Sequence, residues 1–150
     1  MKVAVGLSLA VVAIGLNAAE PQGGAESAKR LIGYINAAVD TCPIQAELLL
    51  EKFKQRLIGA DEYVQGMKAC PQEKLEAVGK VKVTRLDEPK ADIPPACFDA
   101  ARSLYIEYVA HLEGFAPGLN ENPGPWRARI SPEVRAIKNK ATKARLECTT

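Results

Sequence analysis

The stretch TCPIQAELLLEKFKQRLIGADEYVQGMKAC, residues 41–70, decides the fold, because its pattern is typical of two helices broken at Gly59. Pro43 suits the start of a helix, where its missing N–H is not needed, and Gly59 can end a helix in the left-handed conformation. One unbroken helix of 28 residues would hold Cys42 and Cys70 about 42 Å apart, whereas a disulfide needs a Cα separation of about 5.5 Å. The chain is therefore predicted to fold back at Gly59, which lets the two cysteines pair.

The second half of the chain repeats this layout. A helix that opens at Cys97 keeps an apolar stripe of helical period as far as Gly114. Residues 115–130, FAPGLNENPGPWRARI, are rich in glycine, proline and asparagine and are predicted to form a loop. The run Ser131-Pro132-Glu133 combines three signals of a helix start, and apolar residues at spacings of three and four lead from it to Cys148.

These patterns predict an all-α fold, a small disulfide-stapled helical domain of about five helices. Two cysteine-bracketed helical hairpins follow an N-terminal helix, and the predicted disulfides are Cys42–Cys70 and Cys97–Cys148. Four cysteines allow three connectivities, of which this one closes both hairpins.

Residues 20–150 are predicted to form a single all-α domain. Its first helical half spans residues 26–70 and its second half residues 97–148. Between them, residues 71–96 form a proline-rich connector without a sustained helical stripe, although Glu73 to Val78 could form one or two helical turns.

Residues 1–19 are predicted to be a signal peptide, because Lys2 precedes an uncharged apolar run that ends in small residues near Ala19. The alternative is an uncleaved anchor, but 14 apolar residues are fewer than the roughly 20 that span a bilayer. We therefore expect a secreted or periplasmic protein that does not span the membrane after cleavage.

The helix before Gly59 carries a row of large apolar side chains at helical spacing. We expect this row to face the core; it consists of Ile44, Leu48, Leu49, Phe53 and Leu57.

No residue pattern in the chain is typical of catalysis, a metal site or a cofactor. The single histidine, His111, lies near the end of its helix beside the apolar Val109 and Leu112, and an isolated histidine of this kind is usually a partly buried surface residue. The cysteines lack the short spacing of thiolate metal sites. We expect neither an enzyme nor a bound cofactor or metal.

The last quarter of the chain concentrates positive charge. Residues 126–147 hold seven cations and two acids, a net of +5, whereas residues 20–150 hold 19 cations and 18 acids. The overall balance does not favour a nucleic-acid partner. The cations either solvate one face of the last helix, with some paired to acids of earlier helices, or form a binding surface.

In the second interpretation the loop before the last helix supplies aromatic and arginine anchors, which dominate binding hot spots. The predicted binding residues are Phe115, Trp126, Arg127, Arg129, Arg135 and Lys138. Trp126 could equally be a plug that covers the helix ends.

Three functions remain open after the sequence analysis. The first is an exported, non-catalytic binding or interaction protein, such as an inhibitor, an immunity-type protein or a chaperone-like binder, whose partner is another protein. The second is a binder of anionic envelope polymers or lipid head groups through the basic C-terminal helix. The third, a minor alternative, is a small carboxylate-dependent hydrolase.

Overall fold

The computed structural model describes residues 24–81 and 93–149, so the predicted signal peptide lies outside the described residues. Within these ranges the chain forms helices and no strand. The helices are α1 (Gly24–Ala38), α2 (Thr41–Lys54), α3 (Ala60–Val81), α4 (Pro95–Gly114) and α5 (Pro123–Glu147). Because only residues 39 and 40 separate α1 from α2, the two form one bent helix. The predicted all-α class is confirmed.

Both predicted disulfides are confirmed. Cys42 and Cys70 join α2 to α3 with a Cα separation of 5.6 Å, and Cys97 and Cys148 join the start of α4 to the end of α5 at 4.6 Å. Each bond therefore closes one helical hairpin. Disulfides persist in oxidising compartments, which indicates an extracytoplasmic protein.

The core is built around α1, which packs against α3, α4 and α5. Its apolar stripe is buried as its spacing predicts. The fully covered side chains of this stripe are Ala28, Leu31, Ile32 and Ile35. The hairpins thus enclose the N-terminal helix between them.

The row of α2 that faces the core is Cys42, Ala46 and Leu50, each at most 2% exposed. The prediction that the larger apolar row is buried was wrong for three members, since Ile44, Leu48 and Leu57 are 56%, 55% and 68% exposed. Leu49 and Phe53, the other two, are partly buried against the core. Both rows have helical spacing, so periodicity alone cannot choose between them. The disulfide selects the row that contains Cys42, because the Cys42 sulfur must face α3.

The first hairpin turns at Arg56 rather than at Gly59, so the predicted helix stop was wrong. Arg56 has φ of 60°, in the left-handed region, and its N–H donates to the Phe53 carbonyl at 3.0 Å. The N–H of Leu57 donates to the Lys52 carbonyl at 2.9 Å, which completes a Schellman motif. Gly59 has no positive φ and instead precedes the first turn of α3.

Helix α3 continues through Pro71 to Val81, so the first part of the predicted connector, residues 71–81, is helical and that prediction was wrong. Pro71 removes one helical N–H but does not end the helix. Val78, one of the residues beyond it, is fully buried, and tertiary packing of this kind outweighs a local helix breaker. Residues 82–92 of the connector lie outside the described part of the chain.

Helix α5 begins at Pro123, eight residues before the predicted start at Ser131, and the loop is shortened to residues 115–122. The first helical turn tolerates Pro123 and Pro125 because its N–H groups have no intrahelical acceptor. Pro132 lies inside the helix. The sequence signal of a helix start at Ser131-Pro132-Glu133 therefore does not begin a new helix, because buried residues on both sides belong to one continuous helix.

Two buried tyrosine hydroxyls, those of Tyr34 and Tyr108, have no hydrogen-bond partner among residues 24–81 and 93–149. Burial raises the pKa of Tyr108 well above its ordinary value of 10, and the neighbouring Tyr34 adds to this rise. The folded state therefore favours the protonated phenol.

Arg56→Gly should raise the free energy of unfolding by about 0.5–1 kcal/mol, because glycine adopts the left-handed conformation without a Cβ clash. The measurement is guanidinium denaturation with the disulfides intact. Arg56→Ala, which keeps a Cβ, is the control and should give no such gain. A destabilised Arg56→Gly variant would contradict the assigned turn.

Gly59→Ser should be tolerated in the same denaturation measurement, since an added Cβ there meets nothing within 4 Å.

Tyr108→Phe should leave stability unchanged or raise it by about 1 kcal/mol at pH 7, because an unpaired buried hydroxyl costs roughly 1–3 kcal/mol. A pKa raised on folding gives stability that is present below pH 10, the ordinary value, and is lost as the pH rises above it. Denaturation midpoints between pH 8 and pH 11 should therefore fall less steeply above pH 10 in the variant. A clear loss at pH 7 would show that the hydroxyl has a partner.

Candidate functional site

An open groove with a volume of about 380 Å³ lies between α2 and α5. Its floor and walls carry apolar side chains, of which Ile44 is the most exposed. The apolar lining consists of Pro43, Ile44, Trp126, Ile130 and Val134. The polar lining residues are Asp40, Glu47, Arg127, Ser131, Arg135 and Lys138. The groove thus combines an apolar floor with a charged rim.

The structure brings four of the six predicted binding residues to this groove. Arg127, Arg135 and Lys138 lie on its rim and Trp126 lies in its floor. Arg129 is exposed but lies outside the groove lining.

Trp126 and Phe115 are core residues, each 1% exposed, so neither is the exposed anchor that the sequence suggested. The indole N–H of Trp126 donates to the Phe115 carbonyl at 2.8 Å. Because α5 begins at Pro123, Trp126 falls on the same helix face as Ile130 and is buried with it. This arrangement corresponds to the plug that the sequence left open for Trp126.

Four of the seven cations between residues 126 and 147 pair with acids from other parts of the described chain. Two of these pairs flank the groove: Lys138 donates to Asp40 at 2.6 Å, and Arg127 contacts Glu47. The other two pairs lie elsewhere and are Arg129–Glu121, at 3.0 Å, and Lys140–Glu107. Much of the local charge is therefore balanced.

Arg135, Lys143 and Arg145 form no ion pair with the residues that the structure describes. Of these three, only Arg135 lines the groove. The rim of the groove therefore presents two ion pairs and one uncommitted cation.

His111 is 1% exposed, so the expectation of a partly buried surface residue was wrong. Its Nε2 lies 3.3 Å from the Val39 carbonyl oxygen, and its Nδ1 lies 3.1 Å from Glu133 Oε1. Val39 needs this donor because the residue four positions later, Pro43, has no N–H to complete a helical hydrogen bond. His111 thus ties α4 to the bend before α2 and to α5.

A second open cavity, of about 480 Å³, lies between α3 and residues 112–119. Its lining is mainly apolar and includes Met67, Leu75 and Phe115, with Lys68 and Glu113 among the few charged residues. None of the predicted binding residues except Phe115 lines it.

Over residues 24–81 and 93–149, no group of three or more histidine, cysteine or acidic side chains is placed to hold a metal ion. No helix of the same ranges combines the length and hydropathy needed to cross a membrane. Comparisons with protein-family models, curated proteins and solved structures gave no match.

His111→Leu should lower the free energy of unfolding by at least about 1–3 kcal/mol, because the buried Val39 carbonyl loses its donor. In the Pro43→Ala background the restored N–H can donate to that carbonyl, so the same change should cost less. Urea denaturation of the four proteins of this double-mutant cycle measures the difference. Strictly additive effects would show that His111 and Pro43 do not share the Val39 carbonyl.

Proposed function

We propose that this protein is an exported, non-catalytic binding protein that holds a partner protein in the groove between α2 and α5. The observation that carries the proposal is the apolar lining of the groove together with Ile44 and Leu48, two large apolar side chains of α2 that remain exposed. Its setting is the secreted or periplasmic space, where the two disulfides persist.

The apolar surface extends beyond the groove itself. Ile44 and Leu48 are four residues apart, share one face of α2 and are both more than half exposed. Large apolar side chains that remain exposed together often mark an interaction site. With the ion pairs at its rim, the groove has the apolar centre and polar edge of a protein interface.

Binding of anionic polymers or lipid head groups through α5 is supported less well. Such a surface needs several uncommitted cations on one face, but four of the seven are paired. Lys143 and Arg145 are two residues apart and so point to different sides of the helix. The uncommitted cations therefore do not form a stripe.

A carboxylate-dependent hydrolase is also supported less well. The two acids of the groove, Asp40 and Glu47, each pair with a cation. His111 is committed at both ring nitrogens. A non-catalytic role fits these contacts better.

Ile44→Asp should abolish capture of the partner from the exported fraction, because it places a charge on the apolar wall. Leu146→Asp is the matched control, since Leu146 is 63% exposed on α5 but outside the groove. Pull-downs at about 0.1 M and 0.5 M salt should both retain a partner with the wild type and the control, because apolar contacts are little screened. Melting temperatures of all three proteins must agree.

Two outcomes would contradict the proposal. Capture that survives Ile44→Asp would place the binding surface elsewhere. Capture that disappears at high salt in every protein would favour the anionic-polymer alternative.

A further inference from the structure

We infer that the groove recognises a protein segment in which an acidic side chain lies beside a large apolar one, with Arg135 pairing the acid. The inference rests on the proposed function and specifies the chemistry of its partner. It is drawn from the hydrogen-bonding and charge state of the rim.

The rim contains only two polar side chains that the described residues leave uncommitted. Arg135 has no ion-pair partner there, and Ser131 makes no side-chain hydrogen bond. They lie four residues apart on α5, so both line the groove one turn from each other. A guanidinium and a hydroxyl one helical turn apart on the same groove are donors suited to a carboxylate.

The remaining rim charges reinforce this selectivity. Asp40 and Glu47 are already matched by Lys138 and Arg127, so the groove carries a local excess of one positive charge from Arg135. A basic partner segment would meet Arg135 with like charge. An acidic one gains an ion pair at the edge of an apolar surface, where water is partly excluded.

The groove floor determines which apolar side chain the partner segment carries. Pro43, Ile130 and Trp126 line it with carbon surface, and Val134 lies next to Arg135 in the sequence. Because Arg135 lines the same groove, an acidic side chain one or two residues from an apolar side chain on this floor is suitably placed to meet it.

A protein segment fits better than a small molecule because the apolar surface does not stop at the groove. Leu48 lies one helical turn beyond Ile44, outside the groove lining, and is 55% exposed. A longer ligand is needed to cover both residues. A polypeptide can place successive side chains along this length.

Panning of a phage-displayed library of random peptides of about 12 residues on the full chain tests the inference. The wild type should enrich peptides that carry Asp or Glu within two residues of a large apolar side chain. Arg135→Glu should lose this acidic preference or exchange it for Lys or Arg. Lys143→Glu is the matched control, since it reverses an unpaired cation of the same helix outside the groove, and it should enrich the same peptides as the wild type.

Calorimetry with the best acidic peptide then gives the change in binding affinity of each variant. Arg135→Glu should weaken binding at least tenfold, or about 1.4 kcal/mol. Lys143→Glu should change it by less than about twofold, and circular dichroism should show the same helix content and melting temperature for both variants.

The outcomes separate this inference from the proposed function. Peptides that lose binding with Ile44→Asp but show no acidic preference would overturn the inference and leave the groove as the site. Peptides that are insensitive to Ile44→Asp would overturn both. Enrichment of no peptide would overturn recognition of a linear segment.

Discussion

The hydrogen bond from His111 to the Val39 carbonyl links the bend between α1 and α2 to the core and to α5. Pro43 leaves this carbonyl without its usual helical donor. His111 supplies the missing donor from α4 and uses its second ring nitrogen to contact Glu133 of α5. A buried carbonyl left unpaired is costly, so the bend can form only where a donor reaches it. Asp40 and Val134, the chain neighbours of Val39 and Glu133, line the groove. The contact that satisfies the bend therefore also sets the spacing of two groove walls.

The disulfides explain how the domain can leave large apolar side chains outside its core. In the chain-entropy model, closing loops of 28 and 51 residues is worth roughly 3.6 and 4.1 kcal/mol. Burial of one Leu or Ile side chain contributes about 1.5–3 kcal/mol, so each crosslink offsets at least one exposed apolar residue. The same Cys42 that forms a crosslink turns Ile44 and Leu48 outward. The position of Cys42 therefore accounts both for the stabilising disulfide and for the exposed apolar residues of α2.

The features that depended on local signals could be predicted from the sequence. Helical periodicity located the helices, and the cysteine positions within it gave both pairings. What failed required tertiary information: proline at 71 and at 132 looks like a boundary in isolation, but buried side chains on both sides carry the helices through. The turn at Arg56 was missed because glycine is the usual residue in the left-handed conformation and Gly59 lay only three residues away.

At the candidate site, the positions of the charged residues could be predicted from the sequence, but their pairing and the burial of Trp126 could not. The cations Arg127, Arg135 and Lys138 could be placed on a common surface, because charged residues of an amphipathic helix stay off its apolar seam. Which of them would be paired could not be known, since Asp40 and Glu47 belong to a different helical segment. The sequence could not decide whether Trp126 is an exposed anchor or a plug, because an aromatic residue before an apparent helix start gives no indication of which way it faces.

The burial of Trp126 changes where specificity can reside. The groove floor is also part of the hydrophobic core, since Trp126 and Ile130 are at most 3% exposed, and substitution there alters folding along with any contact to a partner. Ile44 and Arg135 are exposed and can be exchanged without opening a cavity. If the groove binds a partner as proposed, exposed residues such as these can change specificity, while the floor keeps the shape that the core imposes. Under the proposed function, a few exposed side chains could therefore change the partner while the disulfide-linked helices stay the same.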